Sequence, residues 1–189
     1  MSSDAEVFAA IRRALKELDI SWYLFGGQAA ILHGATRFTE DIDITVKLAG
    51  QQTTTLAVAL KRHGFAMRAD DPKFIEQARV LPAMHIASGT PVDFVVAGPG
   101  LEELFFDRLV TIDIQDEHVP VASAEDIVVM KILSGRAKDV GDVEAILAAQ
   151  GAQFDAQRVR DLLTMLEEAL DQSDLLLSFQ TCLDRVRHV

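Results

Sequence analysis

A single cysteine, Cys182, stands in the 189 residues. That excludes an intramolecular disulfide and a thiolate zinc cage, and fits a reducing compartment. Basic residues are also scarce: 18 Lys and Arg against 29 Asp and Glu leave a formal net charge of −11. Neutralising a phosphate backbone takes clustered cations, so bulk DNA binding is not expected. No apolar run approaches membrane-spanning length, and the opening MSSDAEVFAAIRR places acidic groups where a signal peptide carries basic ones. Neither a membrane span nor a signal peptide is predicted, and the expected address is cytoplasmic. Repeats and low-complexity linkers are missing too. What is present is apolar, 49% of the chain, enough for a buried core.

Hydrophobic spacing predicts an opening helix over 4–18, capped by Ser3 or Asp4, and a buried strand over 21–25 that stops at Gly26-Gly27. A short helix, QAAILHG, ends at Gly34. The alternation in DIDITV predicts a strand over 41–46 with Ile42, Ile44 and Val46 facing the core. A helix over 56–62 closes at Gly64. Strands follow over 65–68, 83–87 and 92–97, then a hairpin over 109–121 with 115–118 at its bend. Beyond Ser123, a capping residue followed by acidic groups, helices are predicted over 123–133, 137–150, 155–170 and 173–187. The organisation is an α+β portion over 1–121 and a helical portion over 122–189 that packs on it.

The chemistry gathers in FGGQAAILHGATRFTEDIDI. At i and i+2 of a strand, Asp41 and Asp43 share one face with Cα atoms about 6.5 to 7 Å apart. Two such carboxylates suit hard divalent cations, and two ions together stabilise the attacking and leaving oxygens of an in-line phosphoryl displacement. Asp93, the lone charge in PVDFVV, needs a cation if buried. Beside the Asp41 strand it would complete a set of three carboxylates whose repulsion raises their pKa values until metal compensates. Gly26 and Gly27, between a strand and a helix start, allow backbone amides to approach phosphate. Lys131, alone among Ile127, Val128, Val129, Met130, Ile132 and Leu133, needs an anion, either from a bound ligand or from a site carboxylate.

Gly26, Gly27, Asp41, Asp43 and Asp93 together resemble the signature of the DNA polymerase beta-like nucleotidyltransferase superfamily. The fuller form GGQAAILHG-x-x-R-x-T-x-DIDI, with a later lysine-bearing helix and R-x-K-D-x-x-D, is most similar to bacterial abortive-infection (AbiEii-type) toxin nucleotidyltransferases. The resemblance covers residues 20–150. It implies a mixed sheet flanked by helices, Mg²⁺ or Mn²⁺ at Asp41, Asp43 and Asp93, and Asp93 helping to deprotonate an acceptor hydroxyl. It also implies that Gly26 and Gly27 hold the triphosphate of an NTP, with Arg37, Thr39 and Lys131 as further phosphate contacts. The acceptor is a protein, a small molecule or a tRNA, and a cognate toxin–antitoxin partner belongs to the same picture.

Plainer alternatives exist for each group. Asp41 and Asp43 could face solvent on an edge strand, and Asp93 could pair with Lys131 or Arg37. Asp139 and Asp142, three residues apart, either line a cleft or sit on a solvated helix face. His33 reads as a helix-end residue rather than a catalytic base, and His63, His85, His118 and His188 show no metal-ligand spacing. For the whole chain, the alternatives to an enzyme are a non-catalytic, antitoxin-like partner of the same fold and an unrelated ligand-binding α+β domain.

Overall fold

Val7, Phe8, Ile11, Ala14 and Leu15, spaced for one helical face, are all buried along α1 (Ser3–Glu17). This computed structural model describes residues 3–69 and 71–187. Two compact units emerge: the chain up to Gln28 with Thr39–Ala122, and Ala29–Phe38 with the chain from Ser123 onward.

In the first unit, seven strands among the described residues form one sheet. They are β1 (Ser21–Phe25), β2 (Ile42–Lys47), β3 (Phe65–Met67), β4 (Val80–His85), β5 (Thr90–Val96), β6 (Val110–Ile114) and β7 (Glu117–Val121). The order β3-β4-β5-β2-β1-β7-β6 puts β2 and β5 at the centre, parallel to each other. β1 and β7 are also parallel and the remaining pairs antiparallel, so the sheet is mixed. The expected alternation holds on one face: Ile42, Ile44, Val46, Val92 and Phe94 are all buried. Thr45 is buried as well, so the other face of β2 is covered beyond Asp43 rather than open to solvent.

Helices α3 (Thr53–Arg62), α4 (Pro72–Ala78) and α5 (Leu101–Phe105) complete this unit, with α1 packed on α3 and β7. The sequence pattern missed α4 and α5, which are too short to display a 3.6-residue period. α4 nevertheless has a readable start, because Asp71 Oδ1 accepts the Lys73 N–H at 3.0 Å with a proline in the first turn. Strand β4 opens three residues earlier than expected, running through Pro82. Proline cannot donate to a ladder, but its carbonyl accepts the Arg68 N–H at 2.8 Å.

The second unit is helical. Helix α2 (Gly26–Leu32) reaches it at Ala29, and α6 (Ala124–Ser134), α7 (Ala137–Gln150), α8 (Ala156–Leu170) and α9 (Leu175–Arg187) build its core. As predicted, Ser123 caps α6, its Oγ accepting the Asp126 N–H at 3.2 Å. α6 packs against α7, α8 and α9, which explains its nearly continuous apolar text. Among the described residues no helix is long and apolar enough to cross a membrane.

Candidate functional site

Asp43 and Asp93 are direct register partners across the parallel pair β2–β5. Neighbouring strands lie about 4.8 Å apart, and residues in register share a face, so the two carboxylates stand side by side. The row extends across the sheet: Phe25 opposes Asp43, Pro82 opposes Asp93, and Arg68 follows β3 with its N–H on the Pro82 carbonyl. Their sequence neighbours Ile42, Ile44, Val92 and Phe94 are buried on the opposite face. That packing orients both aspartates.

Gly26 opens α2 at the end of β1 with φ of 69°. A Cβ there would lie 1.9 Å from Asp43 Oδ2 and 2.7 Å from its Cγ, so backbone and carboxylate meet where no other residue fits. A Cβ on Gly27 would come within 3.1 Å of Thr39 Oγ1 and Cγ2. The structure therefore brings Gly26, Gly27, Thr39, Asp43 and Asp93 into one neighbourhood of the first unit.

Asp41 is exposed and lies ahead of the strand, which begins at Ile42. The strand expected from Asp41 thus starts one residue later, with Asp41 immediately before it. On one side β1 ends at Phe25 opposite Asp43; on the other, the pairing with β5 begins at Ile42 and Val92. The cation on Asp93 is neither Lys131 nor Arg37. It is Arg68, whose Nη2 donates to Asp93 Oδ1.

Among the described residues, no three His, Cys, Asp or Glu side chains gather to hold a metal ion. The expected convergence of three carboxylates is a register pair with a third nearby in sequence. That donor set still fits magnesium or manganese, which take hard oxygen ligands and usually bind one or two carboxylates together with substrate phosphates, without a full protein cage. The missing side chain at Gly26 is what makes space for the Asp43 carboxylate itself.

Arg37 and Lys131 belong to a different cluster, within the second unit. Lys131 Nζ donates to Asp142 Oδ2 at 2.5 Å and Asp139 Oδ1 at 3.0 Å, and Arg37 Nη1 donates to the same Asp142 oxygen at 3.0 Å. Asp139 Oδ2 accepts from Ser134 Oγ at 2.5 Å and Arg136 Nε at 2.7 Å. With Asp139 1% and Asp142 5% exposed, the solvated helix face is excluded. Burial pushes the Asp139 carboxyl up, but hydrogen bonds from Ser134, Arg136 and Lys131 prevail and hold it at about 2. The lysine's need for an anion is thus met inside its own unit, by aspartates from the R-x-K-D-x-x-D run.

The family described as nucleotidyltransferase of unknown function (DUF6036) matches residues 5–187. No curated protein matches the sequence. Among solved structures, ANT(2")-Ia in complex with adenylyl-2"-tobramycin is 15% identical, with a TM-score of 0.60 over 89% of this chain and 99% of that one. An antigenic nucleotidyltransferase-like protein from Paracoccidioides brasiliensis is 19% identical, TM-score 0.56, over 95% and 94%. The lincomycin-bound lincosamide antibiotic adenylyltransferase LnuA is 18% identical, TM-score 0.53, over 76% and 96%. At these identities the likeness is one of fold.

Proposed function

The chain belongs to the DUF6036 nucleotidyltransferases, and from that premise we propose that it moves a nucleoside monophosphate from an NTP to an acceptor hydroxyl, releasing pyrophosphate. The observation that carries the proposal is the register pairing of Asp43 with Asp93 over the Gly26 backbone. Asp43 and Asp93 would hold Mg²⁺ or Mn²⁺, with Asp41 from the segment just ahead of β2. A divalent ion bound there supplies charge stabilisation for the attacking and leaving oxygens.

The protein's own contribution is positional. Gly26 and Gly27 present backbone without side-chain bulk to the triphosphate, with Thr39 packed beside Gly27. Asp93, half-exposed on the sheet face, is the carboxylate to take the proton of the acceptor hydroxyl. Lys131 is committed to Asp139 and Asp142 and Arg37 to Asp142; the proposed role of Lys131 is to hold α6 to α7, and that of Arg37 to tie the segment after α2 to α7, rather than to bind phosphate.

The net charge of −11 favours a small-molecule or protein acceptor over a tRNA end. A polycationic small molecule suits an acidic chain best, and the fold neighbour named as a complex with adenylyl-2"-tobramycin supports that choice. A protein acceptor would fit the abortive-infection resemblance, with a cognate toxin–antitoxin partner. A second reading, a non-catalytic partner protein of the same fold, draws on the Arg68–Asp93 pair, which already gives Asp93 a cation.

Purified protein and Asp43→Ala are incubated with each α-labelled NTP, Mg²⁺ or Mn²⁺, and panels of aminoglycosides, cell protein and tRNA. Label transferred by the wild type and lost in the variant is the expected result, and its destination gives the acceptor. No transfer together with no metal-dependent nucleotide binding would favour the non-catalytic reading.

A further inference from the structure

We propose that Arg68 is the resident counter-ion of Asp93 in the metal-free protein and that an incoming divalent ion displaces it, so that metal binding and release of the Arg68 side chain are a single exchange. This rests on the metal-dependent reading of the Asp43–Asp93 pair given above.

The sheet itself delivers Arg68 to this place. Met67, the last residue of β3, opposes Ala83. The next residue, Arg68, is pinned by its N–H to the Pro82 carbonyl at 2.8 Å, and Pro82 opposes Asp93. The guanidinium reaches Asp93 Oδ1 because three neighbouring strands place it there. Two carboxylates standing in register need positive charge between or beside them. Without metal, Arg68 supplies one unit at the outer aspartate, through Oδ1.

Exposure decides whether this pair can be exchanged. The Arg68 and Asp93 side chains are 38% and 32% exposed, so water screens their attraction, and the pair shifts a competing equilibrium by no more than about fivefold. The Lys131–Asp142 pair, nearly sealed from solvent at 6% and 7%, is of the other kind, where loss of one partner leaves an uncompensated buried charge. The half-exposed pair can hand Asp93 over to a stronger cation.

The test is Mn²⁺ binding to the full chain without nucleotide, followed by the electron paramagnetic resonance of free Mn²⁺. Wild type, Arg68→Ala, Arg68→Gln and Arg68→Lys are compared at fixed ionic strength. The exchange predicts that the two neutral variants bind Mn²⁺ about two- to fivefold more tightly, while Arg68→Lys, which keeps a competing cation, stays near wild type. A residue that merely braces the site would act with the opposite sign, because its loss would loosen the carboxylates. Unchanged or weaker affinity in both neutral variants overturns the exchange while leaving the metal site standing. Absence of Mn²⁺ binding in every protein overturns the exchange and the metal-dependent reading together.

Discussion

Lys131 Nζ sits 2.5 Å from Asp142 Oδ2 in a pair with both side chains less than a tenth exposed. Breaking a buried pair from one side costs about 3–5 kcal/mol, because the partner's charge stays behind without compensation. Lys131→Met should fall near the lower end, about 3 kcal/mol, since Arg37 still faces Asp142 and Arg136 still faces Asp139. Urea unfolding measures this directly. A loss below about 1 kcal/mol, the range of an exposed pair, would mean that Lys131 is not a structural cation and would reopen its candidacy for phosphate.

Asp139 makes stability depend on pH at the acid end. Its carboxyl sits at about 2 in the folded chain against an ordinary value of 3.8, so the folded state favours the charged form. The contribution is present in full above about pH 4, shrinks as pH falls through the window down to about pH 2, and amounts to about 2 kcal/mol. Asp139→Asn should flatten that segment of the curve. Denaturant midpoints at pH 5 and pH 2.5, in wild type and variant, supply the comparison.

Much of the site's frame was legible locally, and what was not depends on distant partners. The apolar run of β1 ending at a glycine pair, the alternation of β2 and the lone charge in β5 are signals contained in a few residues each, and they identified Gly26, Asp43 and Asp93 as one neighbourhood. Asp41 reads like Asp43 in the text, but the ladder that holds Asp43 begins only at Ile42, where β2 meets β5, and β1 ends opposite Asp43. Arg68 lay unremarked at a strand end, because its bond to Asp93 exists only once β3, β4 and β5 are in register. Lys131 announced its need for an anion through its apolar neighbours, yet Asp139 and Asp142 became its partners only when α6 and α7 packed.

Gly26 offers a substitution that separates chemistry from folding. In Gly26→Ala the new Cβ meets the Asp43 carboxylate 1.9 Å away, and φ of 69° adds backbone strain of order 1–3 kcal/mol. Asp43 must swing aside, and displacement of a catalytic group by about 1 Å can lower a rate on the order of 10²-fold. The expected pattern is a folded protein by circular dichroism, with transfer reduced by about that factor. Wild-type transfer rates in a folded variant would place the reacting groups away from Asp43.

Removal of metal tests the carboxylate pair by a route independent of turnover. If Asp43 and Asp93 hold Mg²⁺ in the folded chain and not in the unfolded one, mass action adds about 2.7 kcal/mol at a hundred times the dissociation constant. For a chain of this length that raises the melting temperature by roughly 5–10 °C, and EDTA should reverse the shift. A chain with net charge −11 also gains stability from any salt that screens repulsion, so the comparison is made at constant ionic strength with Na⁺ replacing Mg²⁺. Asp43→Asn should lose the increment while keeping the salt response. An increment of equal size in wild type and Asp43→Asn would assign the Mg²⁺ effect to other carboxylates and leave the Asp43–Asp93 pair without a metal.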